Sequence, residues 1–193
     1  MMTTGPLNAT TAPGQAPAPV DGGTPAWLVA ELRSDHAGET GAVQIYRGIL
    51  AVTGDPALRD FAGRHLLTEE GHLELIAAIL PPARRSLLLP IWKVAGFVTG
   101  ALPALFGPRA VHVTIDAVES FVDHHYQQQI DRLRAEGGDP ALLALLLTCQ
   151  EDEVEHRDEA RGLHAGRVGP IGRAWGWIVG AGSKAAVAAA KRV

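Results

Sequence analysis

Glu69-Glu-Gly-His72 and Glu153-Val-Glu-His156 are the two stretches whose reading decides the fold, for each sets a histidine three residues after a glutamate. Each of these glutamates stands fourteen residues after the aspartate of an identical pentapeptide, Gly-Asp-Pro-Ala-Leu, at 54–58 and again at 138–142. The match extends backwards: Glu39 is followed seven residues later by Tyr46, and Glu119 by Tyr126, the only two tyrosines in the chain. Such a register describes two helix pairs duplicated in tandem, each presenting one lone carboxylate and one carboxylate–histidine pair. A ligand set of that kind holds two metal ions inside a four-helix bundle.

Helix geometry explains the spacing. Residues three or four apart share a face, so a glutamate and the histidine three residues later grip one ion together. The candidate ligands are Glu39, Glu69, His72, Glu119, Glu153 and His156. Four carboxylates balance the charge of two divalent ions while neutral imidazoles add none, so a filled site is buried without a large uncompensated charge. Empty, the same cluster should destabilise the fold. Oxygen-rich sites with imidazole suit iron first and manganese second, whereas zinc favours fewer ligands and usually some sulfur.

Composition narrows the field further. The chain has 193 residues, 20.3 kDa and a formal charge of −4, enough for one domain with a sizeable core and without a basic field for nucleic acid. Its single cysteine, Cys149, makes no internal disulfide and fits a reducing compartment. No lysine or arginine precedes Arg33 and no apolar leader is visible, so the sequence reads as a protein kept in a bacterial-type cytoplasm.

Residues 1–23, rich in Pro, Ala, Thr and Gly, read as a disordered tail, and 24–193 as one domain. Thr24-Pro25 should cap and start a helix reaching about Thr53, and Asp55-Pro56 a second, stopping at Pro81-Pro82. A third bundle helix should begin at Pro108 and fade at Gly137-Gly138, and a fourth begin at Asp139-Pro140 and end near Gly166. A last helix should run from about Pro170 to the C-terminus. No stretch alternates with period two between hairpin turns, so the class is all-α.

Two apolar stretches complicate a plain bundle. Leu87 to Phe106 approaches membrane-spanning length, but Pro90, Lys93, Pro103 and glycines 96 and 100 interrupt it, and arginines 84, 85 and 109 flank it, which suits lying in an interface better than crossing one. The C-terminal helix carries Trp175, Trp177, Ile178, Val179 and a Gly176-x-x-x-Gly180 pair before Lys191-Arg192, the pattern of an amphipathic anchor or a packing helix. Both stretches either contact a membrane peripherally or simply cover the bundle.

Five stretches then carry a family resemblance: Asp35-His-Ala-Gly-Glu-Thr-Gly-Ala42, Val94-Ala-Gly-Phe97, Ala117-Val-Glu-Ser120, His124-His-Tyr126 and Asp152-Glu-Val-Glu-His156. In this order they resemble the demethoxyubiquinone hydroxylase family of ubiquinone biosynthesis, from about Ala26 to the C-terminus. The resemblance implies a ferritin-like four-helix bundle with a carboxylate-bridged di-iron core, an apolar helical insertion and a C-terminal amphipathic helix. It implies an O2-dependent monooxygenase that hydroxylates the ring of a prenylated quinol, works peripherally on the cytoplasmic side of the inner membrane, and has a lipid-binding accessory protein.

The same six residues fall on the family's iron ligands, with Glu69 and Glu153 expected to bridge and Glu39 and Glu119 to cap one iron each. Ser120 and Arg157 depart from the family pattern, which often has glutamate and histidine there, but neither is an expected ligand. Electrons would come from the quinol itself or from NADH relayed through quinone, since no Gly-x-Gly-x-x-Gly or flavin fingerprint offers a dedicated nucleotide site.

Tyr46 and Tyr126 lie two turns from their glutamates on the same helix face, where a hydroxyl steers electrons or meets the quinol, or else packs as a core tyrosine with one hydrogen bond. Asp35, His36, Asp116 and Asp123 surround the lone glutamates at helical spacing, and some should orient the ligand histidines. His124 and His125 cannot both face inward. Cys149 reads as a small buried hydrophobe, and His65 as structural or exposed.

Two other functions share these features. A soluble ferritin-like di-metal oxidase or peroxidase needs the same six ligands but no apolar insertion. A membrane or partner-binding bundle with a vestigial ligand set would not need all six intact.

Overall fold

The computed structural model describes residues 16–166 and 168–193. They form six α-helices and one short 3-10 turn, Pro82–Arg84, and among the described residues there is no strand. The helices are α1 (Ala26–Val52), α2 (Pro56–Ile79), α3 (Leu89–Ala104), α4 (Pro108–Glu136), α5 (Pro140–His164) and α6 (Pro170–Ala190). The all-α class read from the sequence is the class observed.

Both repeated pentapeptides do the same local work. Asp55 accepts a hydrogen bond from the Leu58 backbone N–H at 2.9 Å, and Asp139 accepts one from Ala141 at 2.8 Å, while the following prolines open α2 and α5. Each cap satisfies a backbone donor that a helix start otherwise leaves without a partner. The expected cap at Thr24 does not form: its hydroxyl is engaged with Asp21 in a turn, and Pro25 stands at the cap position without a side-chain bond. Gly137, at φ 68°, closes α4 in the left-handed conformation. The apolar segment read as 87–106 is helical over Leu89–Ala104.

Helices α1, α2, α4 and α5 enclose two apolar clusters. One joins Tyr46, Ile49, Leu58, Phe61, Val111 and Ile115; the other joins Leu32, Ile76, Ile130, Leu133, Leu142 and Leu146. Helix α1 runs from the second cluster to the first, α2 and α4 return, and α5 repeats the course of α1. The four candidate glutamates sit between the clusters along these helices, in a polar layer closed by apolar packing at both ends. The crossover that lets α4 lie parallel to α2 contains α3.

Helix α3 lies parallel to α1 at backbone contact. A Cβ on Gly96 would run into the Gly41 carbonyl, one on Gly100 into the Ile45 carbonyl, and one on Gly48 into the Phe97 carbonyl. Only glycine permits this approach. The opposite face of α3 and its flanks leave Leu87, Ile91, Val94, Val98, Leu105 and Phe106 exposed, and α6 leaves Ile171, Trp177 and Ile178 exposed. No helix among the described residues is long and apolar enough to cross a membrane. The C-terminal end of α6 is tied to α1 by the Lys191–Glu31 ion pair at 2.6 Å.

Of the stretch read as a tail, residues 1–15 lie outside the described residues. Within 16–23, the Val20 backbone N–H donates to the Ile79 carbonyl at 2.8 Å, and the Val20 side chain packs on the Leu32 cluster.

Candidate dinuclear metal site

Helical spacing delivers the six candidate ligands to one buried layer. Glu39, Glu69, His72, Glu119, Glu153 and His156 are all nearly inaccessible to solvent. Ligand atoms of Glu39, Glu69, His72 and Glu153 lie within 4.8 Å of one another, and so do those of Glu69, Glu119, Glu153 and His156. Glu69 and Glu153 belong to both groups.

Both histidines present Nδ1 to the carboxylates. His72 Nδ1 is 3.3 Å from Glu153 and 3.8 Å from Glu39, and His156 Nδ1 is 3.1 Å from Glu69 and 3.7 Å from Glu153. Both Glu69 carboxylate oxygens, one Glu153 oxygen and both Nδ1 atoms are buried without a well-formed hydrogen bond. Orphaned acceptors cost about 1–3 kcal/mol each, more when charged, so a protein keeps such a set where a cation completes it. Oxygen-rich donors with one imidazole per group fit iron or manganese.

The electrostatics of the cluster suit a cation held among these groups. Burial, with the Glu153 charge behind it, pushes Glu39 up to about 7 and Glu69 and Glu119 well above the usual carboxylate range. Burial also pushes Glu153 up, but the close approach of His156 and His72 overcomes it and holds Glu153 at about 2. Burial pulls His72 down, yet Glu153 and Glu39 hold it up at about 9. Ligands bind metal deprotonated, so protons that these raised groups carry at neutral pH must leave on loading. Affinity for Mn2+ should therefore rise with pH between 6 and 9, about tenfold per pH unit for each proton released. Calorimetric titration in two buffers of different ionisation enthalpy measures both quantities; a pH-independent affinity without proton release would contradict this account.

Each tyrosine hydroxyl reaches the lone glutamate of the other repeat. Tyr126 donates to Glu39 at 2.6 Å and Tyr46 donates to Glu119 at 3.2 Å. Both phenols are fully buried, and burial beside the carboxylates pushes them well above their ordinary range.

The outer contacts differ in part from expectation. The carboxylate that holds a ligand histidine is Asp152, whose Oδ2 lies 2.9 Å from His72 Nε2. Sequence reading passed over it because it precedes Glu153 by one residue and stands off the ligand stripe. Asp116 and Asp123 hold no ligand histidine: they pair with Arg161 and Arg157 on α5, Asp116 also with His164 at 2.9 Å. Asp35 meets His125 at 3.2 Å and Gln129 at 2.8 Å, at the rim of the layer. His125 is buried and His124 exposed, as their adjacency required.

His65 is buried, with Nε2 2.8 Å from Glu159 and its ring stacked on His156 at 4.0 Å. Cys149 is fully buried and burial pushes its thiol up, away from reactivity.

A largely apolar cavity of about 350 Å³ opens between α1, α3, α4 and α6 and reaches Glu39, Glu69, Glu119 and Glu153. Ile45, Trp92, Val118, Phe121 and Val179 are among its walls, and Ser34, Asp35 and His125 add a small polar group.

Fold and site together define a helical bundle with a buried carboxylate–histidine cluster fitted for metal and served by an apolar channel. The chain belongs to the COQ7 family of ubiquinone biosynthesis proteins, whose family model matches residues 26–190. It is 39% identical over 175 residues to 3-demethoxyubiquinol 3-hydroxylase of Rhodospirillum rubrum, covering 88% of this chain and 81% of that one. It is 37% identical over 133 residues to the mitochondrial NADPH-dependent 3-demethoxyubiquinone 3-hydroxylase of Rattus norvegicus, 66% of this chain and 60% of the rat protein. The protein of the same description in Dictyostelium discoideum is 33% identical over 84% of this chain and 76% of its own length.

Proposed function

We propose that this protein is a di-iron monooxygenase that hydroxylates the ring of a demethoxyubiquinol with dioxygen. The observation carrying the proposal is the pair of buried ligand groups sharing Glu69 and Glu153 at the inner end of an apolar channel. Glu39, Glu69 and His72 with Glu153 would hold one iron, and Glu119, Glu153 and His156 with Glu69 the other. Bound there, the irons supply the redox chemistry that activates dioxygen.

The chain's own residues do the remaining work. The channel takes the quinol ring and the first part of its prenyl tail out of water, since its walls are mainly aliphatic and aromatic. Tyr46 and Tyr126 hold the lone carboxylates by hydroxyl hydrogen bonds; Tyr126, which lines the cavity, would meet the ring, and Tyr46, outside that lining, would pass electrons. The exposed apolar face of α3, with Trp177 and Ile178 of α6, rests on the cytoplasmic side of the inner membrane, where a prenylated quinol is dissolved. Reducing equivalents come from the quinol or from a reduced nicotinamide, and the names of the mitochondrial relatives specify NADPH for those proteins. A lipid-binding accessory protein would deliver the substrate.

The test gives anaerobically iron-loaded protein a demethoxyubiquinol analogue, a reductant and labelled dioxygen, and reads the quinones by mass spectrometry. A product carrying one labelled oxygen on the ring is expected. Iron oxidised without labelled product, in protein that has bound the analogue, would make it a ferritin-like oxidase instead.

A further inference from the structure

The tandem repeat makes the two halves of the site comparable position by position, and they differ where a ligand histidine is supported. Counting from the pentapeptide aspartates, Asp152 of the second repeat matches Thr68 of the first, and Cys149 matches His65. His72 therefore has a carboxylate behind it, Asp152 Oδ2 at 2.9 Å from Nε2. Its counterpart His156 has no hydrogen-bond partner on Nε2 among the described residues. A ring lies over its face instead: His65 stacks on it at 4.0 Å with 16° between planes. Tyr46 at 3.2 Å and Glu159 at 2.8 Å hold that ring in turn.

We infer that the two ion positions are inequivalent and that the one beside His72, Glu39 and Glu69 fills first. The inference rests on the dinuclear assignment proposed above. A carboxylate accepting the outer N–H of a ligating imidazole fixes the tautomer with the inner nitrogen free. It also strengthens that nitrogen as a donor, and removing such a partner costs about 10–100-fold in metal affinity. Stacking on His65 fixes the plane of His156 but brings no charge.

One contact works the other way. Tyr126 donates to Glu39 at 2.6 Å, closer than the 3.2 Å of Tyr46 to Glu119, and draws density from the first position. Each half nonetheless has one phenol, so that contrast is one of degree, whereas Asp152 against Thr68 is the presence or absence of a formal charge. Asp152 is a positioning residue here, acting through His72.

The readout is occupancy. Crystals of the full chain grown with one equivalent of Co2+ are measured at the cobalt edge, so that anomalous scattering reports each position separately. The His72 position should hold about tenfold more cobalt than the His156 position. Asp152→Asn should abolish that preference, Asp152→Glu should restore it, and Thr68→Asp should raise occupancy beside His156. Asp152 has 38% of its side chain exposed, so its replacement leaves the core intact. Equal occupancy in the unaltered protein, or a preference unmoved by Asp152→Asn, overturns the inference while leaving the dinuclear site standing. Cobalt absent from both positions, even at excess, removes the dinuclear assignment and the inference with it.

Discussion

Glu153→Ala should reduce metal-dependent turnover by at least about 10³-fold, corresponding to a loss of roughly 4 kcal/mol at the transition state. Glu153 belongs to both ligand groups and faces both histidines, so its loss opens both positions at once. The sign of the stability effect separates this from ordinary core damage. Without metal, burial drives Glu39, Glu69 and Glu119 upward with the Glu153 charge behind it, whereas His156 and His72 hold Glu153 itself low; its removal relieves the repulsion and gives up those two contacts, effects of opposite sign. Metal-free variant and metal-free parent should therefore unfold at similar temperatures with similar helix content. Saturating Mn2+ should raise the parent's midpoint by several degrees through preferential binding to the native state, and leave the variant's unchanged. His156→Ala should lose turnover in the same way. Full activity in either variant, or an undiminished thermal response to metal, would show the ligand assignment to be wrong.

Gly100→Val should be the most damaging substitution away from the ligands. The first atom of any side chain at this position runs into the Ile45 carbonyl, which is helix backbone and has no rotamer to change. Overpacking of this kind costs about 1–3 kcal/mol. At about 2–4 °C per kcal/mol for a chain of this size, the midpoint should fall by roughly 2–12 °C. Because α3 supplies Trp92, Ala95, Gly96 and Thr99 to the channel wall, the variant should also bind the quinol analogue more weakly than the parent. Gly63→Ala in α2 is the control: a Cβ there meets nothing within 4 Å. The helix propensity of alanine should leave it as stable as the parent or up to about 1 kcal/mol more so. Equal midpoints for the Gly100 variant and the parent would mean that α1 and α3 do not lie at backbone contact.

The ligand layer was legible because helix periodicity is local: Glu69 and His72 share a face whatever surrounds them, and the repeat brought in Glu39 and Glu119 by register. Helix starts were legible at Asp55-Pro56 and Asp139-Pro140, where cap and proline act within four residues. What periodicity leaves undetermined is the partner across the bundle. That Tyr46 turns to Glu119 and Tyr126 to Glu39, each across to the other repeat, depends on how four helices are arranged. The same limit hid Asp152, adjacent in sequence to a ligand but facing α2. It also hid the role of His65, whose surroundings come from α1 and α5. The seam of Gly48, Gly96 and Gly100 was visible only as interruptions in an apolar run, because closeness between backbones leaves no mark on side-chain patterning. Thr24 was misread for a related reason, its hydroxyl being taken by Asp21 three residues upstream.

Neither repeat contains a complete ligand group. The first contributes Glu39, Glu69 and His72 to one group but needs Glu153, and the second contributes Glu119, Glu153 and His156 to the other but needs Glu69. A chain carrying one repeat alone would have to pair with a copy of itself to complete a group, its site lying on the twofold axis of a homodimer. Within one chain the two halves are free to differ, and Asp152 opposite Thr68 is a difference that no symmetric homodimer could hold.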